Sequence, residues 1–312
     1  MARMLDPSIN EKVGRLVMLL EEVALDGFLS SKVCLHGGTA LNLFLLSAPR
    51  LSLDADLSYI GSVDRDAMLE ERAKVHEAIA RLATRLGYRS EAGADQHAGR
   101  TYKLLYASST TGQRDFLKVD MSYLNRAHLL PLVPMEAKWG EPSGIKVPVN
   151  APIELAAGKM KALLDRVVPR DLYDIASIVK NREAFSTGDG SLDRKVMLFN
   201  LTLSGPFPRP LTIQSRFAGI EQEIENNLVP VLLDDEGLDL GKLIDIAEGF
   251  INEYTEPQTS EEEQYLKLMK NADFRPELLF SEYPEVLARA ETSPAMLWKL
   301  KNLKLRINGS QP

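Results

Sequence analysis

At 312 residues the chain has room for two domains of about 100–200 residues each. Its 45% apolar and 26% charged content supports a core of normal size without disulfides or a structural metal. The lone Cys34 excludes an intramolecular disulfide and any multi-cysteine metal site, and the histidines at 36, 76, 97 and 128 show no metal-ligand spacing. No apolar run approaches the roughly 18 residues of a membrane span, and MARMLDPSINEKVG has no apolar signal core. The expectation is a reduced, soluble, cytoplasmic protein with no membrane partner.

The net charge of −7 is unevenly spread. Residues 221–291 hold 19 acidic and 5 basic side chains, a balance of −14, so the rest of the chain carries +7. Four of those positive charges, Lys299, Lys301, Lys304 and Arg306, follow Thr292. Nucleic-acid binding depends on a local basic face, so the acidic total does not exclude it. Solvated helix faces account for both charge runs equally well.

In chain order, Ser8 or Asn10 is expected to cap a helix bearing Val13, Leu16, Val17, Leu20 and Val23 on one face. Val33–Leu35 reads as a strand entering Gly37-Gly38, and Thr39–Leu46 as a short apolar helix. Over Leu51–Ile60, Leu51, Leu53, Ala55 and Leu57 alternate with Ser52, Asp54, Asp56 and Ser58, which predicts a half-buried strand with two carboxylates on its polar face. Asp64 is expected to cap a helix that closes at Gly87. Arg100–Ala107 and Phe116–Leu124 form a predicted hairpin around SSTTGQRD, and Ile145–Val149 a further strand. Pro152 suits the first turn of a helix running to about Arg166. Pro169 breaks it, and another helix covers Asp171–Lys180. Beyond about residue 190 strand signals vanish and prolines, Pro210 among them, punctuate short helices. The predicted organisation is α+β over 1–190 and all-helical over 191–312.

The densest chemical signal is GGTALNLFLLSAPRLSLDAD, from Gly37 to Asp56. A glycine pair at a strand-to-helix turn admits a ligand close to the backbone, and the helix N-terminus after it favours phosphate. Asp54 and Asp56 project from one face, and two adjacent anions are costly unless a cation lies between them. Magnesium suits such a pair, because it completes its shell with water and substrate phosphates. In Phe116–Ser122 the alternation sets Lys118, Asp120 and Ser122 on one face. A neighbouring placement of the two strands would let Asp120 complete a carboxylate triad able to hold two metals. Lys159 and Arg166, seven apart, share a helix face, as do Asp171 and Asp174 on the next helix. A lysine beside a triphosphate is a point-charge clamp. Surface salt bridges are the competing explanation of the same pattern.

These residues resemble the polymerase β-like nucleotidyltransferases, and more narrowly the AbiEii/MenT-type toxins of type IV toxin–antitoxin systems. The likeness rests on GGTAL at 37–41, on Arg50, Ser52, Asp54 and Asp56 as R-x-S-x-D-x-D, on K-V-D at 118–120, and on KMKALLDRVVPRDLYDI at 159–175. It covers about residues 30–180, and Thr39 stands where the superfamily motif has serine.

The resemblance implies a polymerase β-like domain, its mixed sheet flanked by helices, and a helical C-terminal domain. It implies transfer of a nucleoside monophosphate from an NTP to an acceptor hydroxyl with Mg²⁺, or Mn²⁺ in its place. The expected acceptor is RNA, at the 3′ end of a tRNA, with translation and growth blocked and a separately encoded antitoxin opposing the toxin. Asp54, Asp56 and Asp120 would bind metal, and Gly37, Gly38, Thr39, Arg50 and Ser52 would hold the nucleotide with Lys159. Lys159 and one of Asp171 and Asp174 would be essential, with Asp174 either orienting Lys159 or facing the acceptor hydroxyl. The alternatives are a protein or small-molecule acceptor, or a catalytically silent module binding nucleotide or RNA. From the residues themselves, His36 either lines the pocket or is a hydrogen-bonded strand histidine, Cys34 is expected to be a buried small hydrophobe, and Tyr102, Tyr106 and Tyr123 either stack a base or pack within their strands. Trp298, among lysines, either contacts RNA or docks into the core.

Overall fold

A computed structural model describes residues 6–96, 98–166, 168–208, 213–217, 219–233 and 238–309; His97 and Pro210 lie outside them, as do the first five residues. The chain divides into two compact units. The first comprises 1–126, 131–151 and 229–236, and the second 127–130, 152–228 and 237–312. The division therefore differs from the expected one at 190. The helices that follow Pro152 carry their apolar faces into the helical unit, whereas the strands before it close a sheet.

The first unit opens with α1, Pro7–Leu25, which buries Val13, Leu16, Val17, Leu20 and Val23. Asp6, not Ser8 or Asn10, caps it: its carboxylate accepts from the Ser8 N–H at 2.8 Å, with Pro7 at the first helical position. The strand β1, Val33–His36, runs into α2, Gly37–Thr39, which continues as a π-helical turn over Ala40–Leu45. Next come β2, Asp54–Tyr59, and α3, Arg65–Arg85. Asp64 caps α3 through the N–H groups of Asp66 and Ala67, and Gly87 follows it at φ +80°. The remaining strands are β3, Arg89–Ala92; β4, Gly99–Ala107; β5, Arg114–Ser122; β6, Val133–Met135; and β7, Val147–Val149.

The seven strands form one mixed sheet in the order β3-β4-β5-β2-β1-β7-β6. Its two edges, β3 and β6, are the strands absent from the sequence reading. RSEA has no apolar alternation because three of its four residues are exposed, and VPM is only three residues long with none of them buried. One face of the sheet is apolar, with Ala55, Leu57, Tyr102, Leu104, Leu117, Val119 and Met121 buried. Helix α1 packs against β2, β5 and β7, and α3 against β3. Tyr102, Tyr106 and Tyr123 belong to this core, whereas Cys34, also buried, is on the other face, its Sγ 3.2 Å from Asn150 Oδ1. An isolated bridge joins Arg50 to Leu232, so one short segment from beyond residue 190 pairs with this unit.

The second unit is helical: α4, Pro152–Asp165; α5, Pro169–Lys180; α6, Gly190–Leu203; α7, Glu221–Asn227; α8, Leu240–Thr255; α9, Ser260–Lys270; α10, Glu277–Phe280; α11, Pro284–Glu291; and α12, Pro294–Gly309. Helix α4 packs on α5 and α6, and α8 on α5 and α6. The guanidinium of Arg194 donates to Glu262 and to the carbonyls of Glu253 and Glu256, tying α6, α8 and α9 together. On α12, Met296 and Leu303 are buried seven residues apart, while Trp298 is 44% exposed. Two residues on from Met296, Trp298 falls on the opposite side of the helix, so it does not dock into the core. Lys299 turns inward instead, donating to the carbonyls of Ser204 and Phe207, and burial lowers its pKa to about 8. No helix among the described residues is long and apolar enough to cross a membrane.

Glu154, in the first turn of α4, accepts from the N–H groups of Leu129 at 2.9 Å and Leu130 at 3.2 Å. Burial raises its pKa from 4.5 to about 7, against the lowering effect of those hydrogen bonds and of Arg289. Because the folded pKa exceeds the unfolded one, this group's contribution is complete below about pH 4.5 and lost as pH rises through 7. Relative to Glu154→Gln, the wild type is expected to lose on the order of 3 kcal/mol between pH 4.5 and 8. Paired urea unfolding curves at pH 5 and pH 8 check this, and a pH-independent difference between the two proteins would refute it.

Candidate active site

The polar face of the sheet carries the chemistry, and strand register arranges it in rows. Strands β2 and β5 pair in parallel, with Asp54 opposite Lys118 and Asp56 opposite Asp120. Strand β4 runs antiparallel to β5 and sets Lys103 beside Lys118 and Thr101 beside Asp120. Strand β1 adds His36 opposite Asp56. Paired residues project from the same face, with strands about 4.8 Å apart. One row thus reads Lys103, Lys118, Asp54, and the next Thr101, Asp120, Asp56, His36. A cavity of about 410 Å³ opens beside the second row, lined by His36, Asp56, Thr101 and Asp120 together with Gln96 and Arg100. Arg72 of α3 pins the wall at Asp95 and Gln96, donating to the Asp95 carboxylate and the Gln96 carbonyl.

The glycine turn is built around Asp56. Gly37 has φ +73°, and a Cβ placed there would stand 2.1 Å from Asp56 Oδ2. Only glycine lets the carboxylate lie against the backbone at this point. Gly38 is buried, its carbonyl accepting from the Asn42 side chain at 2.9 Å. Thr39 has no exposed surface, and its hydroxyl donates to the Asp54 carbonyl at 2.5 Å, joining the turn to the acidic strand. Arg50 is 2% exposed, with Nη1 donating to the Leu51 carbonyl at 2.9 Å, and Ser52 is buried as well. Thr39 and Arg50 are thus both buried, the Thr39 hydroxyl bonded to the Asp54 carbonyl and the Arg50 guanidinium to that of Leu51.

Asp120 has both oxygens engaged. Oδ1 accepts from the Thr101 hydroxyl at 2.5 Å, and Oδ2 lies 2.5 Å from Lys118 Nζ. Partial burial works to lower the Lys118 pKa, but the hydrogen bond to Asp120 and the charges of Asp120, Asp54 and Asp56 outweigh it and hold the ammonium above its ordinary value. One lysine thus feels all three carboxylates. Among the described residues no three His, Cys, Asp or Glu side chains are gathered to hold a metal ion together. Asp54 and Asp56 have the oxygen chemistry for magnesium, whereas Asp120 is turned to Lys118. Within K-V-D nothing distinguished Lys118 from any exposed strand lysine, and Thr101 carried no signal at all.

A second charged cluster lies within the helical unit. Lys159 of α4 is 6% exposed, with Nζ 2.6 Å from Asp174 Oδ2 and 3.5 Å from Asp171 Oδ1 on α5. Arg166 donates to both oxygens of Asp171, at 2.7 and 3.1 Å. The two aspartates are 1% and 0% exposed. Asp174 therefore holds Lys159 in place, and Asp171 is shared between two cations.

The family described as the AbiEii nucleotidyl transferase toxins of type IV toxin–antitoxin systems matches residues 19–203. The chain belongs to that family. It is a nucleotidyltransferase toxin, and a toxin of this kind implies a separate antitoxin. The matched stretch contains both the carboxylate rows and the Lys159 cluster of this AbiEii-family chain, and the helices from α7 onward lie beyond it. Among solved structures it is similar to MenT4, a nucleotidyltransferase toxin of Mycobacterium tuberculosis. The identity is 16% and the TM-score 0.54, over 90% of this chain and 92% of that one. JHP933 from Helicobacter pylori aligns at 16% identity and TM-score 0.46, over 99% of this chain and all of that one. No curated protein matches the sequence. The likeness to MenT4 is one of fold and agrees with the α+β architecture of the sheet-bearing unit.

Proposed function

We propose that the chain transfers a nucleoside monophosphate from an NTP to the 3′-hydroxyl of a tRNA, and that this modification blocks translation and growth. The observation that carries the reading is the register of β2 and β5, which sets Asp56 beside Asp120 and Asp54 one row away on the same face. The acceptor oxygen bonds to the α-phosphorus as the bond to the pyrophosphate bridging oxygen breaks. Pyrophosphate leaves and the hydroxyl proton passes to the carboxylate face. Asp54 and Asp56, with Asp120, would hold Mg²⁺ or Mn²⁺, which supplies charge neutralisation for the triphosphate. Gly37 keeps the backbone clear for Asp56, and the Thr39 hydroxyl fixes the turn to the acidic strand. The positive balance outside residues 221–291 suits an RNA acceptor.

The test is label transfer. The purified protein is incubated with total cellular RNA, Mg²⁺ and each α-³²P-labelled NTP in turn, beside an Asp54→Ala control. Label in a tRNA-sized band, absent from the control, is the expected result and names the preferred NTP. Label in protein with none in RNA would overturn the RNA acceptor.

A further inference from the structure

Lys118 stands where a cation is needed. Its Nζ lies 2.5 Å from Asp120 Oδ2, it faces Asp54 across β2, and the charges of Asp54 and Asp56 act on it as well. Thr101 holds the other Asp120 oxygen at 2.5 Å. Three carboxylates on one sheet face repel one another, and a single ammonium among them relieves that repulsion. The same contact keeps Asp120 from being shared with Asp54 and Asp56, since its Oδ2 is turned to Lys118. The side chain is 39% exposed, so the ammonium can swing away without unpacking the core.

We propose that Lys118 is the resident counter-ion of the carboxylate face and competes with a divalent cation for Asp120, so that metal binding requires its ammonium to leave. This rests on the reading of Asp54, Asp56 and Asp120 as metal ligands. The lysine is a positioning residue: it sets how tightly the face takes a metal and is displaced when the metal enters. Its charge is the operative feature, so arginine in its place should preserve the competition and an uncharged side chain should remove it.

The full-length protein, stripped of metal by chelation and dialysis, is titrated with Mn²⁺ while free Mn²⁺ is followed by electron paramagnetic resonance. Four proteins are compared: wild type, Lys118→Met, Lys118→Arg and Asp54→Ala, each checked for native circular dichroism. Lys118→Met is expected to bind Mn²⁺ about tenfold more tightly than wild type, the order expected on removing one positive charge a few ångströms from a divalent ion. Lys118→Arg should stay near wild type, and Asp54→Ala should bind weakly. Binding by Lys118→Met where wild type shows none would support the proposal equally. Equal affinity of wild type and Lys118→Met, with Asp54→Ala weakened, would overturn the role of Lys118 and leave the metal reading standing. No binding by any of the four would overturn both.

Discussion

Asp54→Ala is expected to lower nucleotidyl transfer by roughly a thousandfold or more, the scale of losing one preorganised group that stabilises developing charge. The fold should survive. Asp54 reaches Thr39 through its backbone carbonyl, and its pairing with Lys118 on β5 is a matter of backbone register, so alanine keeps both. Removing one of three carboxylates on a common face also relieves repulsion, so the thermal midpoint should be unchanged or slightly raised. Initial rates of label incorporation, measured beside a melting curve, separate chemistry from stability. Activity within tenfold of wild type in a natively folded Asp54→Ala would remove Asp54 from the reaction, and with it the carboxylate face as the site.

Lys159→Met should act in the opposite sense, on stability first. It removes the cation 2.6 Å from Asp174 and 3.5 Å from Asp171. Arg166 still pairs with Asp171, so Asp174, with no exposed surface, loses its Lys159 partner. Breaking a buried pair on one side costs about 3–5 kcal/mol, because the remaining charge stays desolvated. Adding Asp174→Leu to Lys159→Met should recover most of the loss, since replacing both partners by apolar groups of similar size is often close to neutral. Urea unfolding followed by circular dichroism measures both steps. A single variant within 1 kcal/mol of wild type would mean that the cluster contributes nothing to the helical unit's stability, whatever else Lys159 does.

The two predictions also divide what was legible in the sequence from what was not. Alternation over Leu51–Ile60 placed Asp54 and Asp56 on a common face, and the same period in Phe116–Ser122 placed Lys118 and Asp120 together. Both strands form, because a half-buried strand writes its two faces directly into the chain. The Gly37-Gly38 turn and the proline-bounded helices α4 and α5 were readable for a similar reason: φ > 0 and the missing N–H are local demands. Edge strands β3 and β6 escaped notice because an edge has little to bury.

By itself, then, the sequence determined the elements other than the edge strands β3 and β6, the candidate carboxylates and the family signature across residues 30–180. It was silent on which strands would be neighbours. Only the tertiary structure decided that β5 lies parallel to β2 with Asp120 level with Asp56, that Lys118 closes on Asp120, and that Lys159 is held by Asp174. The same holds for the burial of Thr39 and Arg50, and for the division of the chain before α4 rather than at 190. Periodicity records which way a side chain points from its own element. Partners and burial come from elements distant in sequence, and the packing that brings them together leaves no local trace.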